Sequence, residues 1–211
     1  MVGRYFEDFT VGALYQHPLG RTISETDNTW FTLLTMNTNQ NHFNAHMAAN
    51  APYGRIIVNS GLTVALVLGL SVSDMSQNAL MNLGWDEIRL THPVFVGDTL
   101  YAESVVTDLR ESKSRPYAGI VSCKTRGLNQ DGDEVISWRR TVMVYKRDAP
   151  HDKNLFPVAK TGPLTAGPLT AGPLTAGPLT AGPLTPGPLT AGALTAGALT
   201  AGPVAAGPLT A

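Results

Sequence analysis

Residues 60–73 read SGLTVALVLGLSVS, and this stretch decides how the chain folds. Its central part, residues 62–70 (LTVALVLGL), is apolar on every face of a helix. In a soluble chain, such a helix must be surrounded by the rest of its domain. The run is also only about half as long as a membrane span requires. We therefore predict a central buried helix around which the other elements are wrapped.

Four strand patterns follow the central helix, and each is rich in β-branched or aromatic residues with partial alternation of apolar and polar positions. They cover residues 81–90, 99–110, 117–128 and 134–146. The last two are joined by Asn129-Gln130-Asp131-Gly132, in which the Asp-Gly pair is a strong hairpin signal. One earlier strand is predicted over residues 14–23.

The segment before the central helix predicts a second helix, over about residues 26–36, with N-cap candidates in residues 24–28. Its apolar residues are spaced to give a helix one apolar side, and they are Trp30, Phe31, Leu33 and Leu34. A short helical turn is predicted over residues 46–50. Helices followed by a run of strands indicate an α+β fold, with an antiparallel sheet packed on the central helix, and not a doubly wound α/β fold.

The chain has 211 residues, and the last 50 are ten pentapeptides related to GPLTA. All 31 charged side chains, 15 basic and 16 acidic, lie before this tract, and a proline in most of the repeats blocks regular helix. We predict one globular domain over residues 1–150, a linker over 151–161 and a disordered, extended tail over 162–211. The tail is either a spacer or a neutral repeat, because none of its side chains can do chemistry.

The composition argues against several classes of function. A formal net charge of −1 does not suit a nucleic-acid or anionic-membrane partner, because both require concentrated positive charge. The single cysteine, Cys123, cannot form an intramolecular disulfide, and residues 1–9 (MVGRYFEDF) lack the apolar core of a signal peptide. We therefore expect a cytoplasmic protein.

His42 is the first candidate for a chemical role. It follows the predicted end of a helix and lies among four amide side chains, Asn37, Asn39, Asn41 and Asn44. Histidine exchanges a proton near neutral pH, and an asparagine amide can orient a water molecule or hold one imidazole tautomer. This loop therefore has the composition of a general acid–base site.

The start of the central helix supplies a second candidate element. Backbone N–H groups at a helix start lack intrahelical partners, and the helix dipole favours negative charge there. A carbonyl group that becomes an enolate could use the N–H groups near Ser60 and Gly61.

The same residues resemble the MaoC-like dehydratases, which include the (R)-specific enoyl-CoA hydratases of the hotdog fold. The family loop, approximately T-G-D-x-N-P-L-H, aligns without gaps with TMNTNQNH at residues 35–42. A turn with phenylalanine and glycine and a helix start I-A-H-G-M-L-T match residues 53–55 and 57–63. The element P-V-x-x-G-D-T-L is present at residues 93–100. The resemblance covers about residues 5 to 147.

The resemblance implies a hydratase or dehydratase of enoyl-CoA thioesters. Position by position, His42 matches the family's catalytic histidine, Asn37 its catalytic aspartate, and the amide near Ser60 or Gly61 its oxyanion donor. Asn37 departs from the family, because a carboxylate can take a proton from water and an amide cannot. Either His42 acts alone on a water that Asn37 positions, or the site has lost activity, and the retained polar loop favours the first reading.

Arg55, Asn39 and Asn59 are predicted to contact the substrate. A guanidinium can clamp a carboxylate through two hydrogen bonds, so Arg55 favours a branched dicarboxylyl thioester such as mesaconyl-CoA or itaconyl-CoA. The alternatives for Arg55 are a surface role or a contact to the phosphates of CoA.

The resemblance also implies a homodimer or higher homo-oligomer, with the thioester channel along the dimer interface, and no metal or cofactor beyond the CoA of the substrate. Two other functions stay open. One is a hotdog acyl-CoA thioesterase, which would need a carboxylate near the central helix, such as Asp27 or Asp74. The other is a non-catalytic acyl-CoA-binding protein, which the missing aspartate at Asn37 would explain.

Overall fold

The structure is a computed structural model that describes residues 3–150, 156–162 and 164. The chain divides into two units, Met1–Phe156 and Pro157–Ala211, and every described helix and strand belongs to the first. In the second unit, residues 157–162 and 164 are exposed. Most of the GPLTA tail and residues 151–155 of the predicted linker lie outside the described residues.

Three α-helices precede most of the sheet. They are α1 (Glu25–Leu34), α2 (Ala45–Ala49) and α3 (Ser60–Met75), and short 3₁₀ helices occupy Phe6–Asp8 and Gln40–His42. The central apolar run therefore begins its helix at the predicted residue, Ser60, and continues two residues beyond the predicted end.

The strands form one antiparallel arrangement that packs on α3, so the predicted α+β class is confirmed. They are β1 (Leu14–Gln16), β2 (Arg21–Thr22), β3 (Ala79–Leu90), β4 (Thr99–Glu111), β5 (Ala118–Leu128) and β6 (Glu134–Tyr145). The order across the sheet is β1-β4-β5-β6-β3, and β2 pairs separately with the start of β4. Among the described residues, β3 pairs only with β6, so its other side forms an edge of the sheet.

The single early strand predicted over residues 14–23 is wrong, because the structure divides it into β1 and β2. Pro18 lies between them and cannot donate a backbone hydrogen bond to a neighbouring strand. The two pieces nevertheless pair with the same strand, with Leu14 opposite Val105 and Arg21 opposite Leu100.

The core lies between α3 and the inner face of the sheet. Leu62 and Val67 pack in one buried cluster with Trp138, while Met75, near the other end of α3, packs with Val142 in a second cluster. Burying each such side chain contributes about 1.5–3 kcal/mol. The all-round apolar pattern of α3 is therefore explained by the sheet that surrounds it.

Of the predicted apolar side of α1, only Phe31 packs against the core, and the other three residues do not. Trp30, Leu33 and Leu34 are 74%, 55% and 84% exposed, whereas Asn28 and Thr32 are fully buried. The reason is that α1 packs against the loop before α2 and the chain entering α3, where backbone polar groups need hydrogen-bond partners. The inward side of α1 therefore carries two buried polar residues, Asn28 and Thr32, and these build the candidate site.

Candidate active site

The Asn28 side chain joins the two segments that carry the candidate residues. Its Nδ2 donates to the carbonyl oxygens of His42 at 2.8 Å and Ile57 at 3.2 Å, and its Oδ1 accepts from the backbone N–H of Asn59 at 2.8 Å. One amide thus binds three backbone groups, and two of them, the carbonyl of His42 and the N–H of Asn59, depend on it for a partner. Asn28 therefore holds the His42 loop against the start of α3.

The His42 side chain is buried, and one ring nitrogen has a defined partner. Nδ1 lies 3.0 Å from the carbonyl oxygen of Ile57. A carbonyl oxygen only accepts hydrogen bonds, so Nδ1 carries the proton in the neutral ring and Nε2 keeps its lone pair. His42 is thus held in the tautomer that can act as a base through Nε2.

The asparagine-rich loop is built from side-chain to backbone hydrogen bonds. The Oδ1 atom of Asn37 accepts from the N–H of Asn39 at 2.9 Å, and the Oδ1 atom of Asn39 accepts from the N–H of Asn41 at 3.1 Å. The N–H of His42 in turn donates to the carbonyl of Asn39 at 3.2 Å. The loop therefore fixes Asn37 and His42 relative to each other, and the side-chain oxygen of Asn39 serves as the cap of the short 3₁₀ helix.

The start of α3 distinguishes the two predicted oxyanion donors. Asn59 is the N-cap, and its Oδ1 accepts from the N–H of Gly61 at 2.8 Å, while its Nδ2 donates to the Thr32 hydroxyl at 3.2 Å. The N–H of Ser60 has no acceptor among the described residues. Ser60 therefore has the available backbone donor, whereas both polar atoms of the Asn59 side chain, predicted to contact substrate, are hydrogen-bonded within the chain.

A cleft of about 250 Å³ lies beside Ser60. Its lining residues are Tyr53, Ile57, Val58, Ser60, Thr63, Leu90, Thr91, His92, Pro93 and Val94. Ile57 joins this cleft to His42, because its carbonyl accepts from the imidazole. The candidate base and the free N–H group are therefore connected through the same short segment, residues 57–60.

Arg55 lies in a different cleft, of about 360 Å³, which Phe95 and Glu25 also line. The Arg55 side chain is exposed, and its Cζ lies 3.5 Å from the centroid of the Phe95 ring. Stacking on an aromatic ring orients the guanidinium while leaving its donors free for an anion. The structure therefore does not bring Arg55 into the Ser60 cleft.

Asn28 was not predicted as a site residue, although its hydrogen bonds hold the His42 loop against the start of α3. It was included only among N-cap candidates, whereas the observed N-cap is Ser24. A usable signal was present, because Asn28 and Thr32 are polar residues four positions apart, which places both on one face of a helix.

A second buried polar group was also missed. The His17 Nδ1 lies 2.9 Å from Asp74 Oδ2, and its Nε2 lies 3.0 Å from the Ser104 hydroxyl. No role had been predicted for His17 from the sequence. Asp74 lies near the last residue of α3, at the opposite end from Ser60, so this group ties the helix end to the sheet and takes no part in the candidate site.

The residues that the structure describes contain neither a metal-ligand cluster nor a membrane-spanning helix. No group of three or more His, Cys, Asp or Glu side chains there is arranged to hold a metal ion. Within the same ranges, no helix is both long and apolar enough to cross a membrane.

A family model described as mesaconyl-CoA hydratase matches residues 1–154. The chain is 40% identical over 146 residues to the mesaconyl-CoA hydratase of Cereibacter sphaeroides, with 69% of this chain and 42% of the relative covered. It is 35% identical over 157 residues to the β-methylmalyl-CoA dehydratase of Chloroflexus aurantiacus, with 74% and 44% covered. The chain thus spans less than half the length of these curated relatives.

Solved structures share the fold. A MaoC domain dehydratase from Chloroflexus aurantiacus has a TM-score of 0.66 at 34% identity, covering 74% of this chain and 44% of that one. A MaoC-like dehydratase from Rhodospirillum rubrum has a TM-score of 0.61 at 26% identity, covering 69% and 99%. A double-hotdog protein from Mycobacterium tuberculosis has a TM-score of 0.63 at 22% identity, covering 76% and 48%. The predicted hotdog fold is confirmed.

Replacing Asn28 tests whether its amide holds the site together. In Asn28→Ala, the carbonyl of His42 and the N–H of Asn59 lose their partner, and a buried unsatisfied group costs about 1–3 kcal/mol. We expect urea unfolding to show a free energy of unfolding lower by about 2–4 kcal/mol. Thr26→Ala, at an exposed position of the same helix, should change it by less than about 0.5 kcal/mol. Equal, small effects of the two variants would contradict the assigned role.

Proposed function

The chain belongs to the mesaconyl-CoA hydratase family, a group of MaoC-like dehydratases, and we propose that it adds water to an enoyl-CoA thioester and catalyses the reverse dehydration. The proposed acyl group is a branched dicarboxylate such as mesaconyl. The observation that carries the proposal is the hydrogen bond from Nδ1 of His42 to the Ile57 carbonyl, because it leaves Nε2 free as a base beside a helix start.

In the proposed reaction, the thioester oxygen accepts a hydrogen bond from the N–H of Ser60. His42 Nε2 takes a proton from a water molecule that the Asn37 amide orients. The water oxygen bonds to the β-carbon, and the π electrons of the double bond move to the thioester oxygen as an enolate. His42 then returns the proton to the α-carbon, so that one water is added overall. The N–H of Ser60 and the dipole of α3 stabilise the negative charge of the enolate.

Asn37 contributes position and not proton transfer. Its Oδ1 is bonded to the N–H of Asn39, and its Nδ2 remains as a donor that can hold a water oxygen. Because an amide cannot accept the proton, His42 is the base of the proposed pair.

A thioesterase is the weaker candidate. Its most suitable carboxylate, Asp27, accepts hydrogen bonds from the backbone N–H and hydroxyl of Ser24 and pairs with Arg21 at 2.9 Å. The Ser24 bonds, above all the backbone one, and the nearby Arg21 hold the pKa of Asp27 below its usual range. A carboxylate stabilised in its ionised form is a poor base.

Arg55 is assigned to the phosphates of CoA, one of the two alternatives to a dicarboxylate clamp that its sequence position left open. Its guanidinium is exposed and stacked on Phe95 in a cleft separate from Ser60. An exposed, oriented guanidinium suits the outer, charged part of a CoA molecule better than a small acyl group.

The proposed active form is a homodimer. Strand β3 has 12 residues and an unpaired edge among the described residues. It also exposes a row of apolar side chains, which are Met81, Leu83, Trp85, Ile88 and Leu90. A long, apolar edge strand favours pairing with another chain, and a second copy of β3 supplies the same pattern.

The function is tested by incubating the purified chain with crotonyl-CoA, mesaconyl-CoA and itaconyl-CoA. We expect one of these to gain the mass of one water, and His42→Ala to lower turnover by about 100- to 10,000-fold, the size of a general-base contribution. His46→Ala, an exposed histidine in α2, is the matched control and should keep full activity. Release of free CoA instead would favour the thioesterase, and calorimetric binding without turnover would favour the non-catalytic binder.

Proline at Ser60 tests the proposed oxyanion donor. Ser60 is the first residue of α3, where proline is well tolerated, and Asn59 has the extended backbone that precedes proline readily (φ −58°, ψ 127°). Ser60→Pro removes the N–H together with the hydroxyl, and kcat should fall by about 100- to 1,000-fold with the fold kept. Ser60→Ala retains the N–H and should stay within a few-fold of the wild type. Similar rates in both variants would exclude this donor.

Substitutions at Asn37 test the water-positioning role. Asn37→Ala should lower turnover by roughly ten- to a thousandfold while substrate affinity stays nearly intact, because the lost interaction acts mainly in the transition state. Asn37→Asp restores the family's carboxylate. It should raise activity on crotonyl-CoA, or impair mesaconyl-CoA by placing a negative charge near its free carboxylate. If neither variant changes any rate, Asn37 is not part of the site.

A further inference from the structure

Arg140 is a basic residue on the inner face of the sheet. Side chains alternate along β6, so Arg140 points to the same side as Trp138 and Val142, which both pack in the core beneath α3. Arg140 is only 6% exposed. Its neighbour Arg139 points outward and pairs with Glu87 at 3.2 Å.

The contacts of Arg140 do not neutralise its charge. Its Nε donates to Oδ1 of Asn82 at 2.7 Å, and its Cζ lies 6.0 Å from the centroid of the Trp85 ring. The Nη1 group is buried and has no hydrogen-bond partner in the parts of the chain that are described. No carboxylate in those parts lies within 4.0 Å of the guanidinium, since the described ion pairs involve other residues.

Cys123, opposite Arg140 on β5, does not supply the missing negative charge. Burial raises the pKa of the Cys123 thiol, and this exceeds the lowering effects of Thr125 and Arg140, so the thiol is neutral. Burial also lowers the pKa of Arg140. A buried, unpaired charge costs several kcal/mol, and folds retain one where a ligand completes the site.

The position of Arg140 relative to the Ser60 cleft decides which substrate molecule it can reach. Within one copy, Asn82 lies far from Leu90, the residue of β3 that lines the cleft, because six residues of β6 separate their partners Val142 and Ile136, which is about 20 Å along the strand. A four-carbon dicarboxylate cannot bridge that distance. When two copies of β3 pair antiparallel about their middle, however, the Leu90 end of one strand lies beside the Ala79 end of the other. Val142, opposite Asn82, is only two positions along β6 from Val144, opposite Ala79, which is about 7 Å, so the guanidinium bonded to Asn82 is then nearer to the partner's cleft than to its own.

We propose that Arg140 binds the free carboxylate of a dicarboxylyl thioester held in the Ser60 cleft of a second copy of the chain. Asn82 orients the guanidinium, whose planar donors match a carboxylate. Both Asn82 and Trp85 are exposed at the β3 edge, and they connect the buried group with the dimer interface. This assignment rests on the proposed function and names the residue that selects its substrate.

Binding of saturated thioesters tests the carboxylate site without any need for turnover. Succinyl-CoA and butyryl-CoA differ by a carboxylate in place of a methyl group, and neither can be hydrated. We expect calorimetry to show that the wild type binds succinyl-CoA at least tenfold more tightly. Arg140→Leu should lose this preference with butyryl-CoA affinity unchanged, and Arg139→Leu, the matched control on the outer face, should keep it.

The following results would overturn the carboxylate site. One is a wild type that binds succinyl-CoA and butyryl-CoA equally tightly. The others are an Arg140→Leu variant that still prefers succinyl-CoA, or an Arg140→Leu variant that loses affinity equally for both thioesters. If Arg140→Leu does not fold, Asn82→Ala at an exposed position removes the hydrogen bond that orients the guanidinium. This variant should reduce the preference for succinyl-CoA. An unchanged preference in Asn82→Ala would also count against the proposal. Because these thioesters are not hydrated, a chain without hydratase activity still tests this inference.

Mixed dimers test whether Arg140 acts across the interface. His42→Ala and Arg140→Leu copies should each be nearly inactive on mesaconyl-CoA when alone. After co-refolding, half of the dimers are mixed, and each mixed dimer has one site with both His42 and the partner copy's Arg140. We expect recovery of about a quarter of the wild-type activity by this count, with statistical mixing of a symmetric dimer. No recovery would show that Arg140 serves the cleft of its own copy, or none.

Discussion

The amide of Asn28 is the interaction on which the site depends. Two chain segments, the loop ending at His42 and the stretch entering α3, meet in the interior. The backbone groups that meet there are not hydrogen-bonded within a helix or strand, and the Asn28 amide binds them. An apolar side chain could not fill this position, because a buried, unpaired backbone group costs about as much as a lost hydrogen bond. The buried polar residues on the inward side of α1, and the outward position of Trp30, follow from this requirement.

This constraint produces a chemically useful geometry. The Ile57 carbonyl accepts from both Asn28 and the imidazole, so the segment that selects the tautomer of His42 also leads directly into the N-terminus of α3. A base and a backbone donor are thereby placed by one short piece of chain. The strongly apolar α3 anchors the donor, since its position on the sheet is set by core packing and not by the site.

The elements governed by local patterns could be predicted from the sequence. The all-round apolar run gave α3, alternation gave β3 to β6, and Asp131-Gly132 gave the hairpin between the last two strands. The residues that were missed are buried polar ones, such as Asn28, His17 and Arg140. Whether a polar side chain is buried depends on partners that are distant in sequence, Ile57 for Asn28 and Asp74 for His17. A local pattern, such as the four-residue spacing of Asn28 and Thr32, can indicate a shared face of a helix but not these partners. For the same reason three of the four apolar residues of α1, all but Phe31, were assigned to the wrong face.

The central claim is that neutral His42 carries its proton on Nδ1 and presents Nε2 as the base. Nitrogen-15 NMR of the uniformly labelled chain distinguishes the two ring nitrogens, because protonated and unprotonated imidazole nitrogens have well-separated chemical shifts. At a pH where His42 is neutral, the hydrogen bond to Ile57 predicts a protonated Nδ1 and an unprotonated Nε2. A proton on Nε2, or a population-averaged signal from both tautomers, would contradict the assigned chemistry.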